Sequence, residues 1–360
     1  MMRLPWKGRA VPHAALDILR GCNCRCANCY NAGNGNVKTL AQLKSELAVI
    51  RGSRNITTVT LSGGEPLLHP ELDQIIAWLH DEERLTVCSL TNGILFDDAA
   101  AERMRRSGCS LISLHIQEGQ VRPDVDDAGI DALRRAKGKI ARAHGLFPAL
   151  ILTLDAADGP AFSKLAFFFR SASEYEYVLV TLARDFSRID PRFAQSDVET
   201  SPMLARFAAA GFRPAAYVGG RQHRDVPRWF VFQSVQALDS TGKERAWNET
   251  RPGLIERVFL CGYALLFHRS IHWVSMSSAK LKARLILNGL TGGRLSTLGF
   301  ALRATFAGWR VVEKHIIVQL PPYSLGNGQI EICDSCPDAT VKDGRLRPLC
   351  LADVNVEVEI

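Results

Sequence analysis

The sequence predicts an α/β protein of six strand–helix units followed by a C-terminal α+β extension. Three observations lead there. Short apolar runs recur as far as about residue 190, amphipathic stretches at helical spacing separate them, and beyond residue 255 a second group of cysteines brackets a strongly basic segment. With 360 residues, 47% of them hydrophobic, the chain can bury a large core in one domain or two.

The first strand is ALDILRG, ending at Gly21. Five more follow at residues 58–62, 85–90, 111–116, 149–154 and 177–182, all short and apolar, as parallel strands buried on both faces are. Leu40, Leu43, Leu47 and Ile50 form one helical stripe between them, and Leu72, Ile75, Ile76 and Leu79 another. These stripes are core faces, not sites.

The N-terminus, MMRLPWKGRAVPHAALDILRG, has no apolar run of signal-peptide length, and no window reaches the roughly 18 apolar residues a membrane span needs. The expected location is therefore cytoplasmic, where crowded cysteines read as metal or redox groups rather than disulfides. Of ten cysteines, four fall in CNCRCANCY, residues 22–30. Cys22, Cys26 and Cys29 have the form CxxxCxxC. They offer three thiolates from one loop and would leave one iron of a four-iron cluster without a protein ligand; zinc would take Cys24 as a fourth. At this point both metals stay open.

The strand-like run ITTVTLS ends in GGEP, residues 63–66. CxxxCxxC followed by a strand ending in GGEP resembles the radical S-adenosylmethionine (radical SAM) enzymes. The resemblance implies a partial (β/α)6 barrel with its chemistry at the C-terminal ends of the strands. It implies a 4Fe-4S cluster on Cys22, Cys26 and Cys29, whose open iron chelates the methionine end of S-adenosyl-L-methionine. Gly63 and Gly64 would let backbone approach that cofactor closely, and Glu65 would set a carboxylate near its amino group. Asn92 in TNG and Ser113 resemble cofactor-facing positions, while His115, Gln117 and Glu118 lie where cofactor and substrate would meet. Each has a plainer reading, since Asn-Gly is a common turn and a strand histidine a common core residue. Asp155 and Arg184 end the fifth and sixth strands and are weaker candidates. Where many members of the family carry an aromatic residue before the third cysteine this chain has Asn28, so Tyr30 is the candidate adenine contact. Cys24 has no required role, and Cys88 and Cys109 read as small core hydrophobes.

Near the C-terminus, CDSCPDATVKDGRLRPLC places Cys333, Cys336 and Cys350 together, and Cys261 in FLCGY can supply a fourth thiolate. This set resembles the auxiliary 4Fe-4S cluster of the SPASM and Twitch extensions, on a sparser pattern; zinc is the alternative. The expected organisation is a core over 1–190, a connecting or substrate region over 191–255, and an auxiliary-cluster domain over 256–360 with a basic amphipathic insert at 276–315. Lys280, Lys282, Arg284, Arg294, Arg303, Arg310 and Lys314 face a single Glu313 in that insert, giving it +6 of the chain's +7. Leu295, Leu298, Leu302, Phe306 and Trp309 share a helical face, as in a helix at a membrane surface or lining an apolar site. A helix packed on the barrel with solvated arginines is the plainer alternative, and nucleic-acid binding lacks a motif.

The resulting expectation is an enzyme that cleaves S-adenosylmethionine reductively to a 5′-deoxyadenosyl radical and modifies a C–H position of a lipid-like or other apolar substrate. Flavodoxin or ferredoxin would supply the electron. A SPASM-type peptide or protein maturase is the alternative enzyme, and a zinc-binding scaffold the non-enzymatic one.

Overall fold

The computed structural model describes residues 1–26, 29, 31, 36–185, 189–271, 276–292, 294–354, 356 and 358. Six strands alternate with five helices: β1 (His13–Leu19), α1 (Leu40–Ser53), β2 (Thr58–Gly63), α2 (Leu72–Ala77), β3 (Thr86–Thr91), α3 (Asp98–Arg106), β4 (Cys109–Leu114), α4 (Ile130–Ala143), β5 (Phe147–Leu154), α5 (Gly159–Ser171) and β6 (Tyr177–Leu182). The six strands are parallel and pair in chain order. That order, with a helix in each connection, is the architecture of a partial (β/α)6 barrel.

Local signals set the helix starts. Thr39 and Gln42 form a capping box at α1, and the Asp97 and Asp158 carboxylates accept the Ala100 and Ala161 amide N–H groups at α3 and α5. Along each strand one parity faces the helices, as Val59, Leu61, Ile112, Leu150, Leu152, Val178 and Val180 do in the main core. The expected fourth strand, 111–116, lies two residues earlier as Cys109–Leu114, so His115 stands just beyond the sheet rather than within it.

After α6 (Ser201–Ala209) come β7 (Pro214–Gly219), β8 (Pro227–Leu238) and β9 (Glu244–Glu249), then helices α7 (Leu254–Phe267), α8 (Ser278–Thr291) and α9 (Leu295–Phe306). Strand β10 (Arg310–Gln319) follows, and then the hairpins β11 (Tyr323–Gly326) with β12 (Gln329–Glu331) and β13 (Ala339–Lys342) with β14 (Arg345–Pro348). Strand β10 pairs in parallel with β6 and antiparallel with β8. Residues from 1–190, 191–255 and 256–360 therefore contribute strands to one sheet.

The basic insert is divided differently from its sequence pattern. Lys314 is a buried strand residue, not a surface charge: its ammonium donates to the carbonyls of Phe169, Ala172 and Tyr175 at 3.1, 2.6 and 2.6 Å, and burial pulls its pKa down to about 7. Arg284 is likewise used internally, between Glu256 at 2.8 Å and Glu313 at 2.9 Å. Helix α9 packs on the sheet through Phe300, Ala301 and Ala304, not through the anticipated stripe. Within that stripe Leu298 abuts Gly289 and Trp309 joins the core, whereas Leu295, Leu302 and Phe306 remain exposed.

Candidate functional site

The inner faces of the parallel strands surround a cavity of about 620 Å³. The residues facing it alternate with those in the helix-covered core: Thr58, Thr60 and Ser62 on β2, Cys88 and Leu90 on β3, Ile151 and Thr153 on β5, Tyr177 and Thr181 on β6. Cys88, anticipated in the apolar core, lies in this wall and shares a hydrogen bond of 3.2 Å with the Ser113 hydroxyl; Cys109 does lie in the core.

At the C-terminal ends of the strands the cavity is lined by Cys22, Cys24, Cys26 and Cys29 together with Gly63, Gly64, Asn92, Ser113 and His115. The two glycines are required by close approach. A Cβ on Gly64 would lie 2.0 Å from the Gly21 carbonyl oxygen, and one on Gly63, at φ +134°, 2.1 Å from that of Leu19. The amides of Gly64 and Glu65 donate to those same Leu19 and Gly21 carbonyls at 2.8 and 2.9 Å, so the GGEP turn is tied to the start of the cysteine loop.

Glu65 has a different task from the one anticipated. It is fully buried, does not line the cavity, and its two oxygens accept the Leu67 and Asn92 amide N–H groups at 3.1 and 2.7 Å. It braces GGEP against TNG. Asn92 then donates its side-chain amide to Asn23 Oδ1 at 2.7 Å, and that nitrogen lies 3.8 Å from Cys22 Sγ. On the other side of the loop Arg25–Cys26 pairs with Gln120–Val121, and Gln120 Nε2 lies 3.6 Å from Cys26 Sγ and 3.0 Å from the His115 carbonyl. Burial pushes the Cys26 thiol up to about 12 and that of Cys22 upward as well, so both stay protonated until a metal replaces the proton.

Gln117 and Glu118 are not cavity contacts. Gln117 Oε1 accepts the Thr153 amide at 2.6 Å and sits 3.2 Å from His115 Nε2, which makes that nitrogen the donor. Gln120 Nε2, 3.5 Å from Nδ1, donates to the other nitrogen. Burial pulls His115 down to about 4, so it presents a neutral imidazole to the cavity. Glu118 turns outward to Arg134 at 3.2 Å and Lys164 at 2.6 Å, an ion-pair network on α4 and α5. Asp155 caps the Ala157 amide in a turn, while Arg184 reaches the cavity wall. Tyr30 and Asn28 lie outside the described residues.

The C-terminal cysteines approach the same cavity from beyond β10. Cys333 and Cys336 are buried, and Cys350 and Asp338 reach the cavity wall. The loop is fixed by Asp334 N–H to the Gly219 carbonyl at 2.8 Å and Arg221 N–H to that of Ile332 at 2.9 Å. The Trp229 indole N–H donates to Cys333 Sγ at 3.0 Å. His13 sits 3.1 Å from Asp338 Oδ1 and 2.9 Å from the Thr60 hydroxyl. Cys261 does not join this group. On α7 Leu260 and Ala264, four apart, take the inward positions, and one residue further round the helix Cys261 faces solvent. Among the described residues no three His, Cys, Asp or Glu side chains converge as a single metal ion requires.

Cys22, Cys26 and Cys29 thus border a cavity that Cys350 also lines, while Cys333 and Cys336 lie buried behind the wall, Cys333 against the Trp229 indole. The donor chemistry and the glycine cradle fit a cluster and a close-lying cofactor at Cys22, Cys26 and Cys29. Trp229, His13, Thr60, Gln120 and Asp338 were not anticipated; the signal that could have found the strand residues is a polar or small side chain at every second strand position.

The Radical SAM superfamily model matches residues 16–145. Among curated proteins, a probable GTP 3′,8-cyclase of Archaeoglobus fulgidus is 31% identical over 111 residues, covering 30% of this chain and 36% of that protein. Another, of Sulfurisphaera tokodaii, is 31% identical over 130 residues, covering 35% and 41%. The match thus spans well under half the length of these relatives. Among solved structures, native anSMEcpe with bound AdoMet has a TM-score of 0.41 at 16% identity, over 54% of this chain and 58% of that one. Streptococcus suis SuiB bound to its precursor peptide SuiA has a TM-score of 0.38 at 16% identity, over 49% and 40%.

Proposed function

We propose, for a chain whose residues 16–145 match the Radical SAM superfamily model, that it is an enzyme carrying one 4Fe-4S cluster on Cys22, Cys26 and Cys29 and an auxiliary cluster on Cys333, Cys336 and Cys350. The observation that supports this reading is that Cys22, Cys26 and Cys29 border the same cavity as Cys350, with Cys333 and Cys336 buried behind its wall. When bound, the first cluster and S-adenosylmethionine supply one-electron cleavage and a carbon-centred radical. The protein's own part is positional. Gly63 and Gly64 bring backbone close to the cofactor, Glu65 and Asn92 hold the two loops in register, and the apolar wall keeps water from a reactive centre.

With Cys261 turned to solvent, three thiolates would hold the auxiliary cluster and leave one iron free for substrate. Zinc on the same thiolates is the alternative, and metal analysis of the purified protein separates the two. Apolar wall residues such as Leu90, Ile151, Leu179 and Trp229 favour a lipid-like or otherwise apolar substrate. The relatives' names raise GTP instead. A triphosphate asks for several cations, and the cations on the described wall are Arg142, paired with Glu176 at 2.9 Å, and Arg184, bonded to Gln195 at 2.6 Å. A peptide remains the second substrate class, and peripheral membrane contact through 276–315 belongs with the lipid reading. The chemistry needs a reducing, cytoplasmic setting and a donor such as flavodoxin or ferredoxin.

The test is anaerobic. Reconstituted protein reduced with dithionite should turn S-adenosylmethionine into 5′-deoxyadenosine, with or without a second substrate. Protein with full iron and no such product would remove the enzyme reading.

A further inference from the structure

We propose that the outer faces of α7, α8 and α9 form one surface that docks on an anionic lipid bilayer, with α7 as its principal apolar element. The proposal deepens the membrane contact placed under the proposed function and rests on it, while moving its centre away from residues 276–315 to a helix that charge alone did not single out.

Helix α7 is apolar over most of its outer surface. Leu254, Val258, Leu265, Leu266 and Phe267 are 64%, 65%, 75%, 73% and 60% exposed. Only Ala264 is fully buried along its length. Helix α8 packs against both neighbours and adds Leu290, and α9 adds Leu295 and Phe306, the last two among the most exposed large hydrophobic side chains described. The inward faces of α8 and α9 are already satisfied by Leu281, Leu285, Phe300 and Ala304 on the sheet. The exposed side chains are therefore surplus to the fold, and exposed apolar surface of this extent marks an interaction site.

Charge selects the occupant. Residues 251–310 hold nine basic side chains and one acidic one, Glu256. Glu256 is held by Arg284 and Asn288 and so offers nothing outward to a cationic partner. Arg257, Arg269, Lys280, Arg303 and Arg310, on these helices or directly flanking them in the chain, are exposed. A second copy of this chain would bring two strongly positive faces together and is disfavoured. Nucleic acid would use the charge and leave the leucines and phenylalanines in water. An anionic leaflet uses both, with apolar side chains at the acyl boundary and cations among the headgroups. No described helix is long and apolar enough to cross a membrane, so the contact is peripheral.

The experiment is co-sedimentation of the full reconstituted chain with vesicles of phosphatidylcholine alone or mixed with phosphatidylglycerol, across a salt series. Binding should require phosphatidylglycerol and weaken as salt rises. The triple variant Leu265→Ser, Leu266→Ser, Phe267→Ser should bind about a hundredfold more weakly, from the lost apolar burial. Lys280→Glu with Arg303→Glu should lose about tenfold or more. Lys139→Glu, an exposed charge on α4, should change nothing. Iron content and cofactor cleavage are measured on the same preparations and should be unaffected in all of them. Loss of docking with cleavage intact then bears on this surface alone, and loss of cleavage with docking intact on the enzyme reading alone. Wild-type protein that ignores anionic vesicles at low salt, or binds neutral ones equally, overturns the proposal. So does a dimer in vesicle-free sedimentation that the triple variant dissociates.

Discussion

The two cysteine groups approach the same cavity differently, the first with all three thiols on its wall and the second with Cys350 alone. Cys22, Cys26 and Cys29 come from one loop of eight residues beside β1, and Cys22 and Cys29 are exposed. Cys333, Cys336 and Cys350 are spread over eighteen residues, largely buried, and held by Gly219, Arg221 and Trp229 from elsewhere in the chain. The first group is a local motif that the fold merely has to present. The second is assembled by the fold, so its ligand set cannot be taken from spacing alone.

The comparison is tested most severely by removing each group in turn. Replacing Cys22, Cys26 and Cys29 with alanine should take away about half of roughly eight irons and abolish cofactor cleavage outright. Replacing Cys333, Cys336 and Cys350 should remove the other half yet leave cleavage running. Cys261→Ala should lose no iron; iron loss there would return Cys261 to the ligand set. Iron assay and chromatographic detection of 5′-deoxyadenosine read all three.

A smaller effect tests the presentation of the first group. In Gly64→Ala the new methyl meets the Gly21 carbonyl, a backbone atom that cannot swing aside, so the cysteine loop and the GGEP turn must part. Cleavage should fall about 100-fold, the cost of misplacing reacting groups by an ångström, with iron retained. Near-normal cleavage would show that the cradle is not where the cofactor lies.

Next comes acid stability beside the first group. His115 takes up its proton near 6.5 when unfolded and only near 4 when folded. Unfolding therefore binds a proton between those values, so stability rises with pH across that window and is level above it. Melting temperatures of the wild type should drop on acidification through the window more steeply than those of His115→Gln. Equal slopes would mean that the imidazole is not held neutral.

The smallest effect belongs to the second group. Trp229→Phe removes the N–H donated to Cys333 Sγ while keeping an aromatic wall, so the auxiliary cluster should keep its iron and move to a lower reduction potential. A potentiometric titration with no shift would make the indole a packing residue only.

How much of this was legible in the sequence follows the same division. The six parallel strands were readable because each is a short apolar run, and β6 falls at the anticipated residues 177–182. CxxxCxxC and GGEP were readable because a loop ligand set and a close backbone approach both leave local signatures. Glu65 was misread because its two backbone donors lie on different segments, and Glu118 because Arg134 and Lys164 are brought to it only by α4 and α5. Cys261 failed for a helical reason: Leu260 holds the inward position, and a one-residue step turns the thiol outward. The same gap hid α7, whose apolar surface carries no charge pattern to announce it, and Lys314, which looks like a surface cation until β10 buries it.

The most direct measurement is electron paramagnetic resonance of the two triple-cysteine variants, reduced, before and after adding S-adenosylmethionine. The signal left when Cys333, Cys336 and Cys350 are gone should shift on addition, because the open iron on the Cys22–Cys29 loop is the one assigned to the cofactor. The signal left when Cys22, Cys26 and Cys29 are gone should not. A shift in the second variant with none in the first would contradict the assignment of the two sites.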